Sequence, residues 1–293
     1  MGGVSFGRPY SLSNLLIDEA LRGWLMEDVG RGDRTTSSLA LDGIPGAAQW
    51  CCKSEGVVAG LSVAARVFHI LSTDTSFVPL VHDGTGCDRH QVIAEIEGSL
   101  EVLLVGERVA LNLAMHLSGI ATLTRQYVEK ISDLPAQLVD TRKTIPGLRL
   151  LEKYATHVGG ALNHRMGLDD AVMIKDNHIA AVGSIGEAIA RVRAHAPYPL
   201  SIEVETESLE QVAEAIEHRA DIIMLDNMAL EEMQQAVAMI RAASDRTKIE
   251  ASGNVTLQTI RAVAETGVDY VSSSAPITQS SWLDLSMRIA NPH

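Results

Sequence analysis

Apolar positions along the chain fall into two regimes. Up to about residue 116, short apolar segments alternate with Gly/Asp turns, as in AAQWCCKSEGVVAG (47–60), SFVPLVHDGTG (76–86) and HQVIAEIEGSLEVLLVGE (90–107). Runs of this kind, bounded by turn residues, predict the strands of an α+β domain, with a helix before them near 12–26. The stretch ERVALNLAMHLSGIATLTRQYVEKI (107–131) repeats its apolar residues at helical spacing and predicts a helix leading into the next region.

From residue 136 the pattern changes. Apolar runs recur at AQLVD (136–140), AVMIK (171–175), LSIEVE (200–205), ADIIMLD (220–226), KIEAS (248–252) and VDYVSS (268–273). Each is followed by a loop and a helical pattern, at 148–158, 184–194, 207–218, 229–243 and 256–266. Such near-continuous runs suit strands covered on both faces of a parallel sheet. Repeated βα units mean a barrel or a doubly wound sheet. A complete eight-stranded barrel takes about 250 residues, and only six units fit here. The expectation is therefore an incomplete α/β barrel over 117–276, after an α+β sandwich domain over 1–116. No GxGxxG follows the first strand, which weakens a dinucleotide-binding reading.

Composition narrows the class. The 37 acids outweigh 24 Lys+Arg for a net charge of -13, the wrong sign for general nucleic-acid binding. It also makes any local cationic cluster conspicuous. Cys51, Cys52 and Cys87 form neither a disulfide framework nor a zinc spacing and read as bland thiols. No apolar run approaches the roughly 20 residues that span a bilayer. The N-terminus lacks a basic-then-apolar secretory layout, so a cytoplasmic location is expected.

In parallel βα architectures the site lies at the carboxyl ends of the strands. Those ends carry most of the unusual polar residues: Thr141, Arg142 and Lys143 after the first, and Lys175 at the second. Glu203 and Glu205 lie in the third, Asp226 ends the fourth, and Ser252-Gly253-Asn254 and Ser272-Ser273-Ser274 follow the last two. In IEVE, the two acids are two residues apart and share a face, the barrel side if Ile202 and Val204 meet the helices. Buried carboxylates need a cation, a metal or sugar hydroxyls. Ion pairing with Lys175 or Arg142 is the structural alternative.

The cations Arg142, Lys143, His164, Arg165 and Lys175, with Arg149 nearby, come from separate segments that only the fold brings together. Arginine forks match carboxylate or phosphate in bidentate fashion, so a small ligand with several negative charges is expected. Gly159-Gly160 before His164 fit a helix cap as well. The turn at 252–254, read as opening a helix from Thr256, could cradle phosphate or be an ordinary turn. GxSxG, HExxH and Walker A motifs are all lacking.

The string DTRKTIPGLRLLEKYATHVGGALNHRMGLDDAVMIKDNHI (140–179) closely resembles the signature of the quinolinate phosphoribosyltransferases, the decarboxylating nicotinate-nucleotide pyrophosphorylases. The resemblance continues, in order, through EDVGRGDRTT (27–36), ERVALNLAMHLSGIAT (107–122), IEVE, MLDNM (224–228), EASGN (250–254) and LDLSMRI (283–289). It implies a type II phosphoribosyltransferase fold in which 277–293 return to the first domain. It further implies a head-to-tail homodimer in which Arg108 reaches the neighbouring active site.

By this resemblance Arg142, His164, Arg165, Lys175 and a neighbour's Arg108 bind the two carboxylates of quinolinate. Lys143, beside Thr141, holds diphosphate and substrate. Glu205 and Asp226 meet the ribose hydroxyls of phosphoribosyl diphosphate, directly or through magnesium, so Lys143, Glu205 and Asp226 carry the catalysis. The turns Ser252-Gly253-Asn254 and Ser273-Ser274-Ala275 hold the 5′-phosphate. The family usually has Gly-Gly at Gly253-Asn254, glycine at Ser274 and Gly-Ala-Leu-Thr-His at 274–278, where this chain has Ser-Ala-Pro-Ile-Thr. Two other readings stay open: a related transferase with a different acceptor, such as nicotinate or that of the paralogue associated with molybdenum transport, and a non-catalytic protein that binds quinolinate or a nucleotide. The first would need fewer cations, and the second should lack Glu205, Asp226 or Lys143.

Overall fold

The computed structural model describes residues 12–290. The N-terminal stretch without a secretory layout lies largely outside the described residues, as do the last three of the returning segment. In chain order the first elements are α1 (Asn14–Val29), α2 (Arg34–Ser38), β1 (Pro45–Cys52), β2 (Gly56–Val57), α3 (Leu61–Leu71) and β3 (Ser76–Pro79). Then come β4 (Gly86–Cys87), β5 (Val92–Ser99), α4 (Leu100–Lys130), β6 (Gln137–Val139), α5 (Arg149–Gly159) and β7 (Val172–Ile174). After these follow α6 (Asp176–Val182), α7 (Ile185–His195), β8 (Ile202–Thr206), α8 (Leu209–Glu217), β9 (Ile222–Asp226) and α9 (Leu230–Ala243). The chain ends with β10 (Lys248–Ser252), α10 (Ile260–Ala264), β11 (Tyr270–Ser272), α11 (Ala275–Thr278) and β12 (Leu285–Ala290). None of the described helices is long and apolar enough to cross a membrane.

The chain divides into two compact units. One comprises the residues up to Arg125, Ile145–Gly160, and the residues from Gln279 onward; the other comprises Gln126–Thr144 and Ala161–Thr278. The boundary expected at 116/117 falls inside α4, and α5, read from sequence as a barrel helix, groups with the first unit.

The first unit is built on an antiparallel sheet in the order β12-β1-β5-β3. Period-two alternation in β1 buries Ala48, Trp50 and Cys52 and turns Gln49 outward. Trp50 packs edge-on against Phe77 at 5.5 Å and Phe68 at 6.4 Å, so β1, β3 and α3 share one aromatic cluster. The carboxylate of Asp83 accepts the N–H groups of Gly60 (2.8 Å) and Leu61 (3.1 Å), capping α3, and the Tyr154 hydroxyl from α5 (2.6 Å). Burial raises the Asp83 carboxyl above its ordinary value, and these donors oppose the rise. Cys52 and Cys87 are buried and Cys51 is half-buried; all three are free thiols.

Two sequence expectations need correction here. The run 90–107 is β5 followed by the first turns of α4, because LEVLLVGE satisfies both periodicities and burial of Leu103 selects the helix. Helix α3 was not anticipated, although Val63, Ala64, Val67 and Phe68 form its buried stripe.

The second unit holds six parallel strands in the order β6-β11-β10-β9-β8-β7. Its edge strands β6 and β7 are not paired with each other, so the barrel is incomplete, as expected from the count of βα units. On β8, Ile202, Val204 and Thr206 are buried on one face, which puts Glu203 and Glu205 on the other. Register carries that second face across the sheet: Glu205 pairs with Met224, Met224 with Glu250, and Asp226 with Ser252. The turn expected to open a helix at Thr256 instead closes on itself. The N–H of Thr256 donates to the Thr259 hydroxyl oxygen at 2.9 Å and the N–H of Thr259 to that of Thr256 at 3.3 Å, so α10 starts only at Ile260.

Close packing in the first unit makes a clean test. A Cβ at Gly119 would sit 2.1 Å from the backbone oxygen of Ser281, whereas one at Gly23 on α1 meets nothing within 4 Å. Gly119→Ala is expected to lower the unfolding free energy by about 1–3 kcal/mol. Gly23→Ala should raise it by about 0.5–1 kcal/mol. Urea unfolding followed by circular dichroism checks both.

Candidate active site

The carboxyl ends of the six parallel strands gather the charged residues of the second unit. At the end of β6 the buried carboxylate of Asp140 accepts the His164 N–H at 2.8 Å and the Asn163 side-chain amide at 2.7 Å. Asp140 thus ties the loop 161–171 across the strand end and fixes where His164 and Arg165 sit. The Arg165 guanidinium donates to the Ala171 carbonyl at 2.9 Å. Burial, then the neighbouring Arg142, holds Arg165 below its ordinary pKa, while Glu203 pulls the other way.

That influence shows Arg142 and Arg165 close enough to repel. Like charges near each other in a half-buried setting favour the binding of an anion beside them. Arg142 also has a buried Nε with no partner among the described residues. Lys175, at the end of β7, forms an ion pair with Glu205. The ion pairing expected as the structural alternative for Glu205 is therefore present.

Deeper on the same face, His164 Nε2 lies 3.1 Å from Glu203 Oε2 and 3.6 Å from Glu250 Oε2. Both carboxylates are 3% exposed. Burial first, and the charge of Glu203 second, push the Glu250 carboxyl up to about 7. Sequence reasoning passed over Glu250. Period two counted back from Ser252 in KIEAS would have found it, by the argument that placed Glu203 behind Glu205.

The remaining candidates hold simpler positions. Asp226 ends β9, half-buried, and its Oδ2 accepts the Asn227 side-chain amide at 2.7 Å. The Lys143 side chain is exposed, and its backbone N–H donates to the Thr141 hydroxyl oxygen at 3.0 Å, so Thr141 stabilises its own turn. Ser252 is half-buried at the end of β10. Gly253 has φ +105, and a Cβ there would lie 2.2 Å from Asn227 Oδ1. Asn254, where the family usually has glycine, has φ 48. Asparagine tolerates that left-handed region better than most residues. Ser274 is not among the positive-φ residues described, so its turn makes no demand for glycine.

The Ser273 hydroxyl is buried and donates to the Val255 carbonyl at 3.1 Å, while the Ala275 N–H donates to that hydroxyl's oxygen at 3.3 Å. Ser273 therefore braces the 252–255 turn against the start of α11. Arg108 is exposed on α4 in the first unit. For a cation, Glu205 and Asp226 offer oxygen donors on neighbouring strands, the kind of set a hard divalent ion takes together with substrate oxygens.

Comparison with known proteins places this geometry. Residues 33–118 match the N-terminal domain of quinolinate phosphoribosyl transferase and residues 120–288 its C-terminal domain. A Synechocystis sp. protein named probable nicotinate-nucleotide pyrophosphorylase (carboxylating) is 57% identical, over 94% of this chain and 93% of its own. A Bacillus subtilis protein of the same name is 42% identical, over 95% of each. The solved structure of NadC from Streptococcus pyogenes superposes with a TM-score of 0.91 at 44% identity, covering 96% of this chain and 99% of that one. The chain belongs to the quinolinate phosphoribosyltransferase family.

Proposed function

We propose that the chain transfers a phosphoribosyl group from phosphoribosyl diphosphate to quinolinate with loss of carbon dioxide, giving nicotinate mononucleotide and diphosphate for NAD biosynthesis. The observation that carries this reading is the juxtaposition of Arg142 and Arg165 at the mouth of the partial barrel, with a buried Arg142 Nε that lacks a partner among the described residues. Two guanidiniums, joined by Lys175 at the end of β7, match a planar dicarboxylate better than an acceptor with one carboxylate. That favours quinolinate over nicotinate.

The reaction follows from placing two polyanions in register. Arg142, Arg165 and Lys175, with His164 and a neighbouring subunit's Arg108, hold the acceptor so that its ring nitrogen faces the anomeric carbon. Glu205 and Asp226 meet the ribose hydroxyls and the positive charge that develops on the sugar as diphosphate leaves. Lys143, exposed on the flexible four-carbon stem of lysine, follows the leaving diphosphate. The pyridinium formed then stabilises the electron pair left on the ring carbon when the adjacent carboxylate departs as carbon dioxide, and a proton from solvent takes the carboxylate's place on that carbon. The turns at Ser252-Gly253-Asn254 and Ser273-Ser274-Ala275 receive the 5′-phosphate through backbone N–H groups, since the Ser273 hydroxyl is spent internally.

Glu205 and Asp226 would hold magnesium together with oxygens of the substrate. When bound, the ion neutralises charge on the leaving diphosphate. The Lys175–Glu205 pair fits this order of events, because an arriving dicarboxylate competes for Lys175 and releases Glu205. We place the active form as a head-to-tail homodimer, supported by the exposure of Arg108, and the protein in the cytoplasm, supported by three unbridged thiols.

Arg142→Ala and Glu205→Gln should each lower turnover by about two to three orders of magnitude while leaving circular dichroism unchanged. The assay follows carbon dioxide release from quinolinate, with nicotinate as the control acceptor. Near-normal rates in both variants would overturn the site assignment. Mixing Arg108→Ala with Arg142→Ala tests the dimer. Random exchange gives half mixed dimers, each with one intact site, so recovery of about a quarter of wild-type activity is expected.

A further inference from the structure

Asn227 follows Asp226 at the end of β9 and sits in the left-handed region, at φ 54. Among the described residues other than glycine, positive φ is confined to Ala40, His90, Arg219, Asn227 and Asn254. Two of these, Asn227 and Asn254, therefore border the carboxyl ends of the paired strands β9 and β10. Left-handed backbone at a non-glycine residue is strained and persists where the surrounding contacts enforce it.

The contacts of Asn227 show what that strain holds in place. Its N–H donates to the Ser252 carbonyl at 3.0 Å, a main-chain rung one residue beyond the pairing of Asp226 with Ser252. The side-chain amide turns back and donates to Asp226 Oδ2 at 2.7 Å. On its other side the carboxamide meets Gly253, where a Cβ would collide with Oδ1, Cγ and the main-chain nitrogen of Asn227. Any side chain at 253 would have to push the carboxamide away. Asn227 thus fills the space between an acid on one strand and a turn that follows the next.

In the proposed reaction those two features serve one substrate. A single sugar ring fixes the separation between the ribose hydroxyls and the 5′-phosphate, so Asp226 and the 252–254 turn must keep a matching separation. A carboxylate held at Oδ2 also keeps Oδ1 for a hydroxyl or a divalent ion. We propose that Asn227 is a positioning residue for phosphoribosyl diphosphate: its carboxamide, seated against Gly253, holds the Asp226 carboxylate in register with the turn at Ser252-Gly253-Asn254. This deepens the phosphoribosyl-transfer reading and rests on it.

Glycine is the informative replacement, because it adopts positive φ freely and removes only the carboxamide. The test uses the full-length protein, with thermal unfolding, steady-state kinetics and calorimetric titration of phosphoribosyl diphosphate in the presence of magnesium. Asn227→Gly is expected to unfold near the wild-type temperature and to raise both KM and Kd for phosphoribosyl diphosphate about tenfold, the scale of one hydrogen bond to a charged group. Its KM for quinolinate should stay within about threefold. A cycle on Kd tests the route: once Asp226 is replaced in Asp226→Ala, adding Asn227→Gly should change Kd by less than about twofold. Unchanged constants for phosphoribosyl diphosphate in Asn227→Gly, an equal loss for both substrates, or a full further loss on top of Asp226→Ala would overturn the proposal.

Nitrogen-15 NMR of ligand-free protein labelled at asparagine reads the contact without turnover. The Asn227 side-chain amide, assigned by its absence from Asn227→Gly, should shift in Asp226→Ala. An unmoved resonance would remove the contact on which the positioning role stands. Wild-type protein that binds phosphoribosyl diphosphate yet never turns over quinolinate would defeat the functional reading alone, since the Kd cycle and the amide resonance still decide the role of Asn227.

Discussion

Charge inside a partial barrel has to be matched by charge, because the covered face of a parallel sheet offers little water to do it. This chain turns Glu203, Glu205 and Glu250 onto one face through nothing more than strand periodicity and register. Their presence obliges cations to come down from the loops. Lys175 answers Glu205, and His164 answers the other two. Arg142 and Arg165 then repel each other above, with no salt bridge to an acid among the described residues and only the charge of Glu203 acting on Arg165. The surplus of positive charge at the mouth is therefore a consequence of how the floor is neutralised, and the proposed binding of an anionic acceptor rests on it.

The barrel half of the chain was legible because its strands are buried on both sides. Each apolar run from AQLVD to VDYVSS became a strand within a residue or two of its expected ends. The first half was harder to read. Half-covered strands and helices share short apolar runs, so LEVLLVGE was assigned to a strand and α3 was passed over. Short α6, with no buried side chain, left no apolar stripe to detect. Within the site, residues at strand ends were found and Glu250, one step inside, was not. Hydrogen-bond partners were also beyond reach, since the spending of the Ser273 and Thr141 hydroxyls within their own turns depends on the folded loop.

The departures from the family pattern at the presumed phosphate turns take on a different weight once backbone angles are known. Asn254 adopts φ 48, a conformation open to asparagine, while the neighbouring Gly253 is required twice over, by φ +105 and by the contact with Asn227. The turn keeps the shape glycine would give it. On the proposal that main-chain donors meet phosphate there, an exchange that preserves the main chain leaves that chemistry in place.

Strand β12, which lies along the outer edge of β1, follows every strand of the parallel sheet in the sequence. Synthesis runs from the N-terminus, so β1, β5 and β3 emerge early and wait with one border of their sheet uncovered until β12 has been made. Every strand of the parallel sheet has been made by then. The antiparallel sheet is therefore begun before the parallel one and completed after it, and it is the nascent β1 edge that a chaperone would have to shield on the ribosome.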